Sequence, residues 1–322
     1  MSLTDGSIIR PYKPFQYPWA FDYFNTHEKL HWIPEEVTMG EDVKDFHDKL
    51  TPNERNLITQ IFRFFVTADQ EVGDNYHTRY MSVFKPVEIK MMLGSNANRE
   101  SIHMWAYEHL ITTIGLPETE FAAFLEYKEM KDKFDYYQKF SMDNPQEIAK
   151  TLAGFGAFTE GVQLFASFAI LLNFQRFNLM KGMGQIIQWS IRDENLHVES
   201  LITLYHAYLA ENPEIDLEKL GADVVQICRD IVDHEDAFID LAYGLDEDIR
   251  GTTAQDIKNY IRFVSNMRLL QLKMKPIYPQ MENPLLWLTK ELNSVEHANF
   301  FEARVTTYSK ASSTGTWDEV FD

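Results

Sequence analysis

Residues Glu100–Leu110 read ESIHMWAYEHL, and the spacing inside this stretch decides how the rest of the chain is understood. Glu100, His103 and Tyr107 stand at i, i+3 and i+7, which stacks them along one stripe of a 3.6-residue helix. Met104, Leu110 and Ile111 fill the same stripe, so the sequence predicts an inward face. A carboxylate and an imidazole on an inward face need partners, because burying either one unpaired is costly or forces it neutral.

A single Glu-x-x-His is usually solvated helix surface, but here the spacing recurs. Glu194-Asn195-Leu196-His197 lies inside IIQWSIRDENLHVESLI, where Ile187, Ile191, Val198 and Leu201 share the stripe of Glu194 and His197. Two inward units on separate helices are half of what a four-helix bundle needs to hold two metal ions. The other two helices should each give one carboxylate.

Both acids can be found. Thr51-Pro52-Asn53-Glu54 combines an N-cap, a proline at the first helical position and a capping-box glutamate, predicting a helix from 51 to about 81. Its apolar stripe passes through Phe62, Phe65, Val72 and Tyr76, and Asp69 falls on it, whereas Glu71 and Asp74 share the solvated side. An interhelical salt bridge is the competing role for Asp69. The segment from about 146 to 177 is the most apolar, and between Lys150 and Arg176 its only charged residue is Glu160. Its length would suit a membrane span. However, Thr151, Thr159, Gln163, Ser167 and Asn173 punctuate it and no second comparable segment exists, which predicts a helix buried on all sides rather than a membrane contact. Glu160 then sits in dry surroundings, paired or coordinated. The candidate ligands are therefore Asp69, Glu100, His103, Glu160, Glu194 and His197. Such an oxygen-rich set, with one imidazole per metal, suits iron or manganese better than zinc.

The remaining sequence fits one helical domain with a tail. Across 322 residues, glycine and proline cluster at the ends of apolar-periodic runs, which predicts an all-α protein. The net charge of −19 argues against nucleic acid and anionic membrane surfaces as partners. A lone cysteine, Cys228, excludes internal disulfides and cysteine-ligated metal, and the N-terminus lacks a basic-then-apolar signal, so a cytoplasmic location is expected. RPYKPFQYPW reads as a surface arm, and Trp32 in HWIPEEV, taken alone, as an anchoring core aromatic. Residues 118–141 predict an outer amphipathic helix; 216–243, 253–275 and 284–298 predict further helices without assigned chemistry. His77, His206, His234 and His297 are taken as surface residues. The expected division is a helical domain, 1–303, and a mobile tail, 304–322, whose Tyr308, Trp317 and Phe321 would dock on a partner.

The order Asp69, Glu100-x-x-His103-x-x-x-Tyr107, Glu160 and Arg192-Asp193-Glu194-x-x-His197 closely resembles the small, radical-generating subunit of class I ribonucleotide reductase. The similarity runs from YKPFQYPWAFDYF to the tail. It implies a ferritin-like four-helix bundle core elaborated with additional helices, and a dinuclear metal centre on the six ligands: diiron first, with manganese or a mixed pair as alternatives. In that family oxygen or a reduced oxygen species oxidises the centre and a nearby tyrosine becomes a stable radical; Tyr107 matches it. Trp32 and Asp193 match the tryptophan–aspartate pair that passes the radical on, and Glu36 matches an acid of the same motif. Tyr308 resembles the tail tyrosine that carries the radical to the catalytic large subunit, on which the C-terminus docks. A homodimer is implied as well, and an activating flavoprotein is left open.

Ser190 departs from the aliphatic residue common near the radical tyrosine, and Trp105 and Met104 add oxidisable groups beside Tyr107. Two other readings share the six ligands: a ferritin-like oxidase, hydroxylase or desaturase with a substrate pocket, and a non-enzymatic metal-binding bundle. Neither needs Tyr308 or the Trp32 and Asp193 pair.

Overall fold

The computed structural model describes residues 2–6, 12–117, 128–136, 139–245, 249–290 and 292. All regular elements among them are helical. In chain order these are α1 (Pro18–Lys29), α2 (Gly40–Lys44), α3 (Pro52–Asn75), α4 (Val87–Thr113), α5 (Lys128–Tyr136), α6 (Pro145–Phe177), α7 (Lys181–Glu211), α8 (Leu217–Leu245) and α9 (Ala254–Gln271). The chain divides into two compact units, Met1–Pro284 and Leu285–Asp322. Tyr308, Trp317 and Phe321, the expected boundary at 304, and His297 all lie outside the described residues.

Helices α3, α4, α6 and α7 make the core, with α3 packed on α4, α4 on α7 and α7 on α6. Helix α1 covers α4, while α8 and α9 cover α6. This sandwiching explains why α6 reads like a membrane span yet is buried throughout its apolar window.

Helices α3 and α6 start on side-chain caps of their own. Thr51 Oγ1 accepts from the Glu54 amide at 3.2 Å and Glu54 Oε2 accepts from the Thr51 amide at 2.8 Å, closing the capping box of α3. Asn144 caps α6 through the Glu147 amide at 3.0 Å. At α7 the cap comes from outside the helix. Asp42 accepts from the amides of Gly182 at 2.9 Å and Met183 at 2.8 Å, and Asp45 accepts from that of Met180 at 2.9 Å. Carboxylates here suit the positive end of the helix dipole and satisfy amides with no intrahelical partner.

Besides Asp45–Lys49 after α2, π-helical geometry occurs at Tyr76–Tyr80 after α3 and at Leu152–Thr159 within α6. The latter two adjoin residues of the candidate site, where such insertions commonly redirect a side chain. Helix α6 meets α7 at Gly156, where an added Cβ would lie 2.8 Å from Leu201 Cβ. The glycine permits that close approach. Gly156→Ala should therefore lower stability by about 1–3 kcal/mol through overpacking; urea unfolding followed by circular dichroism measures it, and an unchanged midpoint would reject the close-packed interface.

Candidate metal centre and radical route

The four core helices bring the six expected ligands together. Asp69 from α3, Glu100 and His103 from α4, Glu160 from α6, and Glu194 and His197 from α7 are all buried, none more than 1% exposed. They form two overlapping groups whose candidate donor atoms lie within 4.8 Å of one another: Asp69, Glu100 and His103, and Glu100, Glu160, Glu194 and His197. Glu100 belongs to both. Glu194 also spans them, 3.3 Å from His103 Nδ1 through Oε1 and 3.4 Å from His197 Nδ1 through Oε2. The arrangement is thus two end positions, Asp69 with His103 and Glu160 with His197, joined by two shared carboxylates.

The donor set fits a pair of cations. Both oxygens of Asp69 and of Glu100, Glu194 Oε2, and the Nδ1 atoms of His103 and His197 are buried without a hydrogen-bond partner. Buried polar atoms are rarely left so unless an ion satisfies them. Four carboxylates also carry the charge that two divalent cations would cancel.

Without such charge the cluster retains protons. Burial, with the neighbouring Glu100, holds Asp69 well above the ordinary carboxylate range, and burial pushes Glu160 up to about 7. Burial alone would depress both imidazoles, but the surrounding acids reverse this: His103 is raised by Asp193, Glu100 and Glu194, and His197 by Glu100, Glu160 and Glu194.

Asp193 lies outside the ligand set and joins it to the N-terminal segment. Trp32 Nε1 donates to Asp193 Oδ2 at 2.7 Å, and His103 Nε2 lies 3.4 Å from the same oxygen. Burial opposes ionisation of Asp193, yet His103, Arg192 and His27 hold its carboxyl well below the usual range, so it stays an acceptor. Trp32 is buried, its ring stacked 6.0 Å from that of His103 and tilted against that of Trp189 at 5.2 Å. Glu36, by contrast, is exposed and accepts from the Ile33 amide at 3.1 Å; the structure places it on a surface turn.

Tyr107 is 1% exposed and its hydroxyl donates to Ser190 Oγ at 3.2 Å. Its ring neighbours are Phe65 at 5.0 Å, Phe62 at 5.6 Å and His103 at 6.4 Å. Burial raises the phenol well above 10, so it stays protonated. The departure at position 190 thus supplies an acceptor. Trp105 is exposed and Met104 partly so, which sets both apart from the buried phenol and removes Met104 from the inward stripe expected of it.

Some neighbours of the site escaped the sequence. Tyr76 donates to both oxygens of Glu160, at 3.0 and 2.7 Å, and Asn96 Nδ2 reaches Tyr76 Oη at 3.3 Å and Ser200 Oγ at 3.1 Å. The signal existed, since Tyr76 stands seven after Asp69 and Asn96 four before Glu100, on the same stripes. His27, buried on α1, packs edge-on to His197 at 5.1 Å and carried no such periodic signal. His234, expected on the surface, is partly buried against Tyr136, with ring centroids 5.2 Å apart.

The family model for ribonucleotide reductase, small chain, matches residues 10–284. The chain belongs to this family. Among its relatives is the probable ribonucleoside-diphosphate reductase small subunit of Invertebrate iridescent virus 3, 44% identical over 95% of this chain and 86% of that protein. Among solved structures, the ribonucleotide reductase R2 subunit from Clostridium botulinum superposes with a TM-score of 0.82 at 25% identity, covering 91% of this chain and 94% of that one. The dimanganese(II)-NrdF of Streptococcus sanguinis shares the fold, with a TM-score of 0.75 at 16% identity over 88% of this chain and 99% of that one. The chain is a ribonucleotide reductase small subunit with a ferritin-like helical fold, and its buried cluster fits a dinuclear metal site.

Protons on Glu160, Asp69 and the histidines compete with metal. All these groups are raised above their ordinary values, Glu160 to about 7, so lowering the pH through 7 protonates Glu160 and affinity falls. Manganese(II) titrations between pH 8 and pH 6 should show affinity dropping by at least about tenfold, since each proton displaced contributes up to tenfold per pH unit. A flat profile would mean that these side chains do not take the metal.

Proposed function

We propose that the cluster of Asp69, Glu100, His103, Glu160, Glu194 and His197 holds a dinuclear centre that oxidises Tyr107, and that the oxidising equivalent leaves through Trp32 for a large subunit. The observation that carries this reading is the pair of shared carboxylates, Glu100 and Glu194, set between two histidines in a dry core beside a buried phenol. A metal pair held by these six residues would, once oxidised by oxygen or a reduced oxygen species, supply the oxidising power for loss of one electron and the phenolic proton from Tyr107.

The protein residues then have distinct tasks. Phe62 and Phe65 exclude water from the ring of Tyr107, with Phe168 behind Phe65 at 5.2 Å. Ser190 orients the phenolic hydrogen. His103 stands between Tyr107 and Trp32, its ring 6.4 Å from one and 6.0 Å from the other, which offers a short series of aromatic groups from phenol to indole. Asp193 Oδ2 accepts from Trp32 Nε1, so it can take the indole proton as Trp32 loses an electron and return it afterwards. The same carboxylate fixes the tautomer and orientation of His103. Tyr308 would carry the equivalent onward, and the C-terminal tail would dock on the large subunit.

The donor chemistry suits iron or manganese. We assign a diiron centre first and a dimanganese or mixed pair second; the manganese alternative brings an activating flavoprotein into consideration as a partner. A homodimer and a cytoplasmic location belong to the same proposal, the location supported by a single buried cysteine. Glu36 retains no assigned step.

The deciding experiment reconstitutes the full chain with iron and, separately, with manganese, then measures bound metal and electron paramagnetic resonance. Glu160→Ala should reduce the metal bound per chain; an unchanged ratio rejects Glu160 as a ligand. Tyr107→Phe should keep the metal but lose the organic radical signal and bring nucleotide reduction with purified large subunit to background. Tyr308→Phe should leave the radical in place and stop turnover, and surviving turnover would show that the equivalent leaves by another way.

A further inference from the structure

Helix α6 breaks at Gln163–Leu164, one turn after Glu160, and resumes at Phe165. Such a break strands carbonyls on its N-terminal side and amides on its C-terminal side, and in a dry core each needs a partner. Side chains from α5 and α9 reach the freed carbonyls. Arg268 of α9 donates Nε to the Gly161 carbonyl at 3.1 Å. Lys133 of α5 donates Nζ to the Gln163 carbonyl at 2.8 Å, and Gln163 Nε2 donates back to the Lys133 carbonyl at 3.1 Å. Glu235 of α8 completes the group as the partner of Lys133.

Lys133 and Glu235 also pair with each other, Nζ to Oε1 at 2.5 Å, both fully buried. The ammonium lies between the rings of Phe64 and Phe238, 4.5 and 4.4 Å from their centroids. Arg268 continues to Asn195 Oδ1 at 3.1 Å, the residue after Glu194. Position 161 is glycine because a Cβ there would come within 2.7 Å of Arg268 Nε.

A buried ion pair is a poor source of net stability, since desolvating two charges offsets most of their attraction. This pair instead sits where a helix must stay open. Glu160 lies between the π-helical stretch Leu152–Thr159 and the break, and each departure from α geometry turns the side chains beside it about the helix axis. Closing the break into regular helix would change the direction in which Glu160 points.

We propose that Lys133 and Glu235, with Arg268, are positioning residues for Glu160: they hold α6 open behind the carboxylate and so determine binding of the metal ion on the Glu160 and His197 side. The proposal rests on the dinuclear reading above. It predicts a one-sided effect, because Glu160 belongs to the end shared with His197, whereas Asp69 and His103 are supplied by α3 and α4.

The test is Lys133→Met with Glu235→Leu in the full chain, which removes both charges together and leaves neither one buried alone. Manganese(II) is titrated into wild type and variant, with bound metal counted and the electron paramagnetic resonance spectrum recorded. The wild type should take two ions and give a coupled spectrum. The folded variant should take one, with the six-line signal of isolated manganese(II) and the second affinity weakened by about tenfold to a hundredfold, the range for lost outer-shell support. A coupled pair of unchanged affinity in the variant overturns the proposal, as does equal weakening of both ions. If the double variant does not fold, Glu235→Gln decides, because it keeps the size but removes the charge: selective weakening of one ion supports the positioning role and unchanged binding rejects it. Fewer than two ions on the wild type would overturn the dinuclear reading itself, and this inference with it.

Discussion

Four carboxylates forced together inside a dry core repel one another strongly, and that repulsion governs the rest of the molecule. In low dielectric the cost of bringing charges together is far higher than in water, so the cluster must take up protons or cations. The raised pKa values of Asp69 and Glu160 are the proton form of this response. A scaffold that tolerates such a cluster must be held by interactions elsewhere. The long helices, the capping box at Thr51 and the paired aspartates at the start of α7 serve that end.

The same constraint explains the layering of polar groups around the centre. Tyr76, Asn96 and Ser200 tie Glu160 to α4 and α7 through hydrogen bonds that leave the phenol of Tyr76 protonated. Asp193 stays ionised because His103, Arg192 and His27 surround it. Two carboxyl groups on neighbouring helices, Glu160 and Asp193, thus sit on opposite sides of their ordinary range for different reasons: one is dominated by burial, the other by nearby cationic and donor groups.

Tyr107 illustrates how packing and chemistry meet. Its ring lies against the α3 phenylalanines Phe62 and Phe65, and Phe168 of α6 stands behind Phe65. Its hydroxyl finds Ser190 on α7, a small buried polar residue. Exclusion of water is a property of the enclosure as a whole, whereas the direction of the phenolic hydrogen depends on one side chain.

Periodicity made the four core helices, their inward faces and the six candidate ligands legible, because a buried stripe forbids an unpartnered Glu or His and the exceptions therefore stand out. The family resemblance pointed to Trp32 and Asp193, but only the folded chain joins them through one oxygen 161 residues apart in sequence. Tyr76 and His27 went unread for opposite reasons: the first looked like ordinary core, and the second lay on a helix whose docking could not be foreseen. Lys133, Glu235 and Arg268 were hidden for the same cause. A charged residue on an amphipathic outer helix has the sequence signature of a solvated one, and which neighbour covers it is decided by three-dimensional packing, to which local spacing carries no information.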